Sequence, residues 1–235
     1  MTITFCTVDL IEALTPTVTR VLLTPAEPVS FISGQYLQLC LSDSDKRPFS
    51  IASTPGKRQI ELHIGGAVAD QYASQAIAHL MQQHQLKQPV RAEIGLGKAH
   101  FQPDSERPVI LLAGGTGFSY IYSIAQSIAE TALGWPVIVY WGVREAAAMY
   151  HAEVMQKWAA QNSKYRFVPV VQNPDEHWQG RSGMVHQAVL EDFVSLDAYD
   201  IYIAGPFAMA GVVREAFLQQ GAHREQMYAD AFAYI

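Results

Sequence analysis

The sequence is short of cysteine, and this shortage excludes two kinds of site. Cys6 and Cys40 are the only cysteines among 235 residues, and they lie in separate apolar stretches. Two isolated thiols do not make a disulfide framework, and they are too few for an iron–sulfur centre bound by four thiolates of this chain. We therefore expect both to be buried core thiols.

Clustered positive charge and long apolar runs are missing as well. Charged residues make up 16% of the chain, and the net charge is -6 with no basic run. A nucleic-acid partner is not expected, because binding a phosphate backbone needs clustered Lys and Arg. No apolar run approaches the roughly eighteen residues of a membrane span, and no basic leader precedes one, so we expect a cytoplasmic protein without a membrane partner.

The eight histidines give no sign of a metal site. They are scattered along the chain, and the pair His79 and His84 is five residues apart. That spacing places the two rings on different faces of a helix, whereas helical metal sites use a spacing of four. We expect no bound metal.

Short apolar runs separated by turn residues fill residues 1–101. Pro, Gly, Ser and Asp between the runs favour turns, so the pattern is typical of an antiparallel β-barrel or sandwich. One helical pattern, residues 68–85, interrupts it and is expected to plug or cap the barrel. The polar stretch FQPDSERP, residues 101–108, predicts an exposed connection, which gives domains of residues 1–101 and 102–235.

Strands and helices alternate in the second half. VILLA, VIVYW, FVPVV and IYIA are continuously apolar, as expected for strands buried on both faces of a parallel sheet. Helical patterns separate them, including one over residues 144–160. The order predicts a doubly wound α/β domain with a parallel sheet.

Two glycine-bearing strand ends predict a nucleotide site in this domain. GGTG (Gly114, Gly115, Thr116 and Gly117) follows the first strand, and YIAGP brings Gly205 and Pro206 to the end of a later one. Such loops lie at the carboxyl edge of the sheet, where glycine lets the backbone approach a phosphate. Neither G-x-G-x-x-G nor a P-loop fits, so a plain strand–helix turn remains the alternative.

Two arginines near the same edge could contact a nucleotide. Arg144 follows the second strand, where an arginine can accept the 2′-phosphate of NADPH, and its neighbour Glu145 leaves a surface ion pair as the alternative. Arg181 in WQGRSG follows the third strand, where it could reach a cofactor phosphate or remain in a solvated turn.

The barrel half contains the tetrapeptide RPFS, which consists of Arg47, Pro48, Phe49 and Ser50. Alternation along a strand places Arg47 and Phe49 on one face and Ser50 on the other. A charge, an aromatic ring and a hydroxyl donor this close together could hold a flat heteroaromatic ring. Composition alone favours a surface Arg, a core Phe and a hydrogen-bonded Ser.

The motifs taken in order resemble one family. RPFS after GQY, ELHIGG before a helix, GGTG, YIAGPFAM and the carboxyl end DAFAYI are similar to the bacterial NAD(P)H:flavin oxidoreductases, flavin reductases of the ferredoxin–NADP reductase superfamily that include luciferase-associated members. The resemblance covers essentially the whole chain. It implies a flavin-binding β-barrel domain and an NAD(P)H-binding α/β domain, with NADH or NADPH as co-substrate and riboflavin, FMN or FAD as dissociable substrate.

The resemblance also implies residue roles. Ser50 would be the catalytic residue, hydrogen-bonded near flavin N5, the hydride acceptor. The loop from Gly114 to Gly117 would border the pyrophosphate, and Gly205 and Pro206 would lie near the nicotinamide. The other implied flavin contacts are Arg47, Pro48, Phe49, His63, Ile64, Gly65, Phe232 and Tyr234.

Three departures from the family pattern bear on the subtype. Phe49 stands where members that keep FAD have Tyr, and residues 63–71 (HIGGAVADQ) offer no hydroxyl for a pyrophosphate, which together imply a flavin that binds and leaves. Ala204 stands where many relatives have Cys, so no thiol assists at the nicotinamide. Reduced flavin would then serve a luciferase, a monooxygenase or ferric iron, and the protein would be a monomer or homodimer.

Two other functions remain open from the sequence. One is a reductase with tightly bound FAD that passes electrons to a protein. The other is a non-catalytic nucleotide-sensing module of the same fold, because a fold alone does not establish activity.

Overall fold

The chain forms two units, each with its own sheet. In the computed structural model, which describes residues 3–65, 71–131 and 134–235, the first unit comprises Met1–Phe101 and Tyr122–Glu130, and the second comprises Gln102–Ile121 and Thr131–Ile235. Residues 122–130, which the sequence placed with the second domain, thus group with the first unit.

Six antiparallel strands make up the sheet of the first unit. They follow the order β4-β3-β6-β1-β2-β5. Ile51, directly after β4, pairs with Leu62 of β5 through an antiparallel bridge, so the two outer strands meet and the sheet closes into the predicted barrel. The bounds are β1 (Ile3–Thr15), β2 (Val18–Pro25), β3 (Tyr36–Cys40), β4 (Lys46–Ser50), β5 (Ile60–Gly65) and β6 (Val90–Leu96).

The barrel core is built from inward-facing strand residues and one face of a helix. Helix α1 (Gln71–Leu86) packs Ala73, Ala76 and Leu80 into the same core as the strands. The helix predicted between β5 and β6 is therefore present and covers the core; residues 68–70 of that prediction lie outside the described residues. Cys6 and Cys40 are buried free thiols, as predicted, and burial raises the pKa of Cys6 to about 12.

A parallel six-stranded sheet forms the second unit. Its order is β10-β9-β8-β7-β11-β12, so the chain runs outward from β7 in one direction and then returns to the other side of β7 with β11. The strands are β7 (Val109–Gly114), β8 (Val137–Val143), β9 (Tyr165–Val171), β10 (Arg181–Ser182), β11 (Asp200–Ala204) and β12 (Met227–Tyr228).

Helices cover both faces of this sheet, which confirms the doubly wound fold. Helices α4 (Val185–Asp192) and α5 (Phe207–Gln219) pack on the face that carries Ile110 and Leu112. On the opposite face, Trp141 of β8 packs against Phe118 of α2 (Phe118–Thr131). Among the helices in the described ranges, none has the length and apolar character of a membrane span.

The third helix of the unit starts later than the sequence pattern predicts. Residues 146–148 form a 3-10 turn, and α3 (Ala152–Gln161) begins only at Ala152. The prediction of a helix from residue 144 was wrong because Met149 is buried with a non-helical ψ of 69° and Tyr150 packs its ring on Trp141.

Candidate functional site

Arg47 is a buried charge that the first unit holds from three sides. Its Nε and Nη2 donate to the two carboxylate oxygens of Asp45 at 2.9 and 2.7 Å, Nη2 donates to Gln75 Oε1 at 2.7 Å, and Nη1 donates to the Tyr72 carbonyl at 2.6 Å. The hydrogen bonds from Arg47 to Asp45 hold the pKa of the Asp45 carboxyl below its usual range. Arg47 is 8% exposed, so the alternative of a surface arginine was wrong.

Pro48, Phe49 and Ser50, the remaining residues of RPFS, differ in burial and in contacts. Phe49 packs against the barrel core, and its ring centre lies 5.9 Å from that of Tyr72, so Phe49 and Arg47 contact the same residue. Pro48 is exposed in the strand, whereas Ser50 is half-buried and pairs with Tyr36. The Ser50 hydroxyl makes no hydrogen bond to any residue of the described ranges, so it remains available as a donor.

The end of β5 carries three predicted flavin contacts with different burial. His63 has its ring buried, with Nε2 3.0 Å from Glu61 Oε1. Ile64 is buried in the barrel core, so only its backbone can face a ligand. Gly65 leaves no room for a Cβ, which would overlap the backbone oxygen of the turn before β2.

Glu61 links this strand to β2 through charge. Arg20 of β2 donates to both of its carboxylate oxygens, from Nε at 2.8 Å and from Nη2 at 3.0 Å. Burial alone would raise the pKa of Glu61, but the hydrogen bonds from His63 and Arg20 outweigh burial and lower the pKa to about 2. The carboxylate is therefore ionised at neutral pH and orients the side chains around it.

In the second unit the two glycine loops meet at the point where the strand order reverses. β7 and β11 are neighbours, with Ala113 opposite Ala204, so the loops that follow them share one edge of the sheet. A Cβ on Gly117 would overlap the Ala204 carbonyl, and a Cβ on Gly205 would lie 2.5 Å from Met209 Cε. The glycines thus permit a close approach of two backbones at the crevice where doubly wound sheets bind ligands.

The first of these loops has an open outer side. Gly115 adopts a φ of +55°, and a Cβ there would meet nothing within 4 Å. Residues 115–117 form a 3-10 turn that leads directly into α2. Trp141, which was not among the predicted site residues, donates from its indole Nε1 to the Gly115 carbonyl at 3.0 Å. Its place just before Gly142, at the end of the neighbouring strand, was the available signal.

The two predicted arginines lie in different electrostatic surroundings. Arg144 is exposed and forms no ion pair with Glu145 or with any other described residue, so the ion-pair alternative was wrong. Arg181 instead donates to Asp192 and, at 3.0 Å, to Glu191, and its own carbonyl accepts the Trp178 indole N–H. Carboxylates therefore engage the Arg181 guanidinium, and its contact with a cofactor phosphate stays a prediction.

The two predicted aromatic residues of the carboxyl end, Phe232 and Tyr234, pack against α5. Phe232 packs against the core of the second unit, with the Arg214 guanidinium 5.7 Å from its ring centre. Tyr234 is 73% exposed, and its ring centre lies 5.6 Å from that of Phe207, in the first turn of α5 after Pro206. Both rings therefore lie on the helix that begins at the Gly205–Pro206 turn.

Comparison with known proteins places the chain in a family. The model of the oxidoreductase NAD-binding domain family matches residues 111–215. An NAD(P)H-flavin reductase of Vibrio harveyi is 43% identical over 98% of each chain, and one of Aliivibrio fischeri is 41% identical over 98% of each chain. The crystal structure of an Amycolatopsis cytochrome P450 reductase matches with a TM-score of 0.87 at 27% identity, covering 97% of this chain and 69% of that one. This chain belongs to the NAD(P)H-flavin reductase family.

Proposed function

We propose that this protein uses NADH or NADPH to reduce flavin that binds and leaves as a substrate. Its relatives of the same length are named NAD(P)H-flavin reductases, and it is accordingly an oxidoreductase. The observation that carries the nucleotide half of the proposal is the meeting of two glycine loops at the switch point of a parallel sheet. We assign flavin binding to residues 1–101 and nucleotide binding to residues 102–235.

Ser50 is the proposed catalytic residue on the flavin side. The reaction moves a hydride from nicotinamide C4 to flavin N5, and this chemistry belongs to the cofactors, while the protein binds and orients them. A half-buried hydroxyl with no hydrogen-bond partner among the described residues can donate to N5 without breaking a bond to any of them. Pro48, Phe49, His63, Gly65 and the backbone of Ile64 are the proposed surroundings of the flavin, together with Phe232 and Tyr234.

The contacts of Arg47 support a dissociable flavin. Arg47 donates to Asp45 from Nε and Nη2, and these two nitrogens form an edge of the guanidinium that could bind a phosphate through two hydrogen bonds. A flavin phosphate would have to displace the Asp45 carboxylate, so the phosphate of FMN or the pyrophosphate of FAD gains little there. We therefore propose that Arg47 supports the isoalloxazine pocket through Tyr72 rather than holding a phosphate.

On the nucleotide side, the proposed contacts are the two glycine loops and one arginine. Gly114, Gly115, Thr116 and Gly117 would border the pyrophosphate, and Gly205 and Pro206 the nicotinamide. Arg144, which is exposed and forms no ion pair with another described residue, is the proposed contact of the 2′-phosphate when NADPH binds. The acceptor of reduced flavin, whether luciferase, monooxygenase or ferric iron, stays a prediction, as do the cytoplasmic location and the monomeric or homodimeric state.

The test is anaerobic oxidation of NADH and NADPH by protein dialysed until its absorbance spectrum is constant. We expect colourless protein and turnover only when riboflavin, FMN or FAD is added, and samples without protein supply the background rate. Turnover without added flavin, from a yellow protein, would instead establish a retained FAD and an enzyme that serves a protein acceptor. No turnover with any flavin would overturn the proposal.

A further inference from the structure

Trp141 is buried in β8 beside the first glycine loop. It is 0% exposed, and its ring stacks on that of Phe118, with centres 3.7 Å apart and planes 9° apart. Tyr150 stands edge-on to both rings, at 5.8 Å from Phe118 and 5.1 Å from Trp141. The indole is therefore fixed in position, and its one donor points at the Gly115 carbonyl, 3.0 Å away.

The carbonyl groups of Gly115 and Thr116 both accept hydrogen bonds from the protein. The Gly115 oxygen accepts from the backbone N–H of Phe118 as well as from the Trp141 indole. The Thr116 oxygen accepts from the Ser119 hydroxyl at 3.0 Å. In a trans peptide the carbonyl and the following N–H point in opposite directions. Holding the Gly115 oxygen toward the Trp141 indole therefore points the N–H of Thr116 away from that indole.

We propose that Trp141 is a positioning residue for nucleotide binding, acting through the Gly115 carbonyl. The ligand is the pyrophosphate of NADH or NADPH, an anion of the kind that backbone N–H groups at a helix start bind. This inference rests on the proposed function of the same loop. Gly115 gains from such support because, with its left-handed φ of +55° and open surroundings, the peptide rotates more easily when the Phe118 N–H alone holds its carbonyl.

The direct test is Trp141→Phe, which keeps an aromatic ring for stacking and removes the donor. We expect the Kd of NADP⁺, measured by calorimetry, and the KM of NADPH to rise about fivefold, the effect of one lost hydrogen bond. The kcat and the KM of riboflavin should stay within about twofold, and amide exchange at residues 115–117 should accelerate. Trp135→Phe is the matched control, because Trp135 is 40% exposed.

A second variant keeps the test decisive if Trp141→Phe folds poorly. Ser119→Ala removes the hydrogen bond to the other loop carbonyl and leaves the aromatic stack intact, so it should also weaken NADP⁺ binding. Unchanged NADP⁺ affinity and unchanged amide exchange in a folded variant would overturn the inference, since a purely structural tryptophan would lower the melting temperature alone. Weaker NADP⁺ binding in a protein that reduces no flavin would leave this inference standing while the proposed function fails.

Discussion

At the scale of single residues, strand β4 carries two side chains with different roles. Arg47 is hydrogen-bonded within the fold, whereas the Ser50 hydroxyl bonds to none of the described residues. Arg47 is saturated by Asp45, Gln75 and the Tyr72 carbonyl, whereas the hydroxyl of Ser50, three positions later, has no partner among the described residues. A buried charge must be paired for the fold to be stable, but an unpaired half-buried hydroxyl costs little. Substitutions at the two positions should accordingly affect different properties.

Ser50→Ala should lower activity and leave stability alone. Loss of one hydrogen bond to N5 in the transition state is expected to reduce kcat for riboflavin reduction by about tenfold, measured by anaerobic NADPH oxidation. The free energy of unfolding in urea should change by less than about 0.5 kcal/mol, because no protein hydrogen bond is lost. Ser44→Ala, in an exposed turn, is the control; an activity equal to that of wild type in Ser50→Ala would remove Ser50 from the mechanism.

Arg144→Ala should separate the two nicotinamide nucleotides. An arginine that contacts the 2′-phosphate contributes only to NADPH binding, so we expect the KM of NADPH to rise about tenfold and that of NADH to change by less than about twofold. Steady-state kinetics with both nucleotides at saturating riboflavin measure this. Glu145→Ala serves as the neighbouring control. Equal changes for NADH and NADPH would show that Arg144 does not contact the 2′-phosphate.

At the scale of elements, the ion pair between β2 and β5 gives the barrel a pH dependence. The pKa of Glu61 is about 2 in the folded protein, below the ordinary value of 4.5. A lowered pKa stabilises the fold above the unfolded value, so this contribution is present above pH 4.5 and is lost as the pH falls toward 2. Because Arg20 of β2 donates to Glu61 of β5, this pH dependence acts on the pairing of the two strands.

Glu61→Gln should therefore destabilise the barrel at neutral pH. We expect the free energy of unfolding in urea to fall by about 1–3 kcal/mol at pH 7, and the difference from wild type to shrink at pH 3.5. Glu12 is the other carboxylate partner of Arg20, and its side chain is 43% exposed. Glu12→Gln should therefore lower the free energy of unfolding by less than about 1 kcal/mol. A difference that does not depend on pH would mean that Glu61 contributes packing rather than charge.

The sequence predicted those elements whose pattern is local. β7, β8, β9 and β11 are continuous apolar runs, and Ile121, Ile124 and Ile128, spaced at three and four residues in the sequence, form a buried face of α2. β10 and β12 were missed because strands of two residues have no periodicity. The partners of Arg47 were missed for another reason: Tyr72 and Gln75 are more than twenty positions away, and only the docking of α1 brings them near.

At the scale of the whole molecule, no single cut separates the two units. Ser123 donates to the Ser53 carbonyl and Gln126 donates to the Ala52 carbonyl, each at 2.8 Å, so residues 122–130 cover part of the first unit. These residues lie on α2, which begins in the second unit. The isolated barrel segment thus lacks contacts that it has in the full chain.

A fragment of residues 1–101 should accordingly be less stable than a fusion that restores the helix. We expect a higher melting temperature by circular dichroism when residues 121–131 are joined to residues 1–101 through a flexible Gly/Ser linker. The same fusion with Ser123→Ala and Gln126→Ala should lose most of that gain, since the freed carbonyls of a folded protein need partners. Equal melting temperatures for the fragment and the fusion would contradict this assignment of α2.

The two shortest strands have a consequence for how the protein behaves at high concentration. β10 and β12 border the parallel sheet, and each offers only two residues of backbone to a neighbour. In the barrel, the bridge between Ile51 and Leu62 joins the outer strands to each other. Long unpaired edges are the templates on which sheets of separate molecules add to one another. β10 pairs only with Val170 and Val171 of β9, so residues 165–169 of β9 have no described strand on that side, and this stretch is where the parallel sheets of two molecules would add to one another.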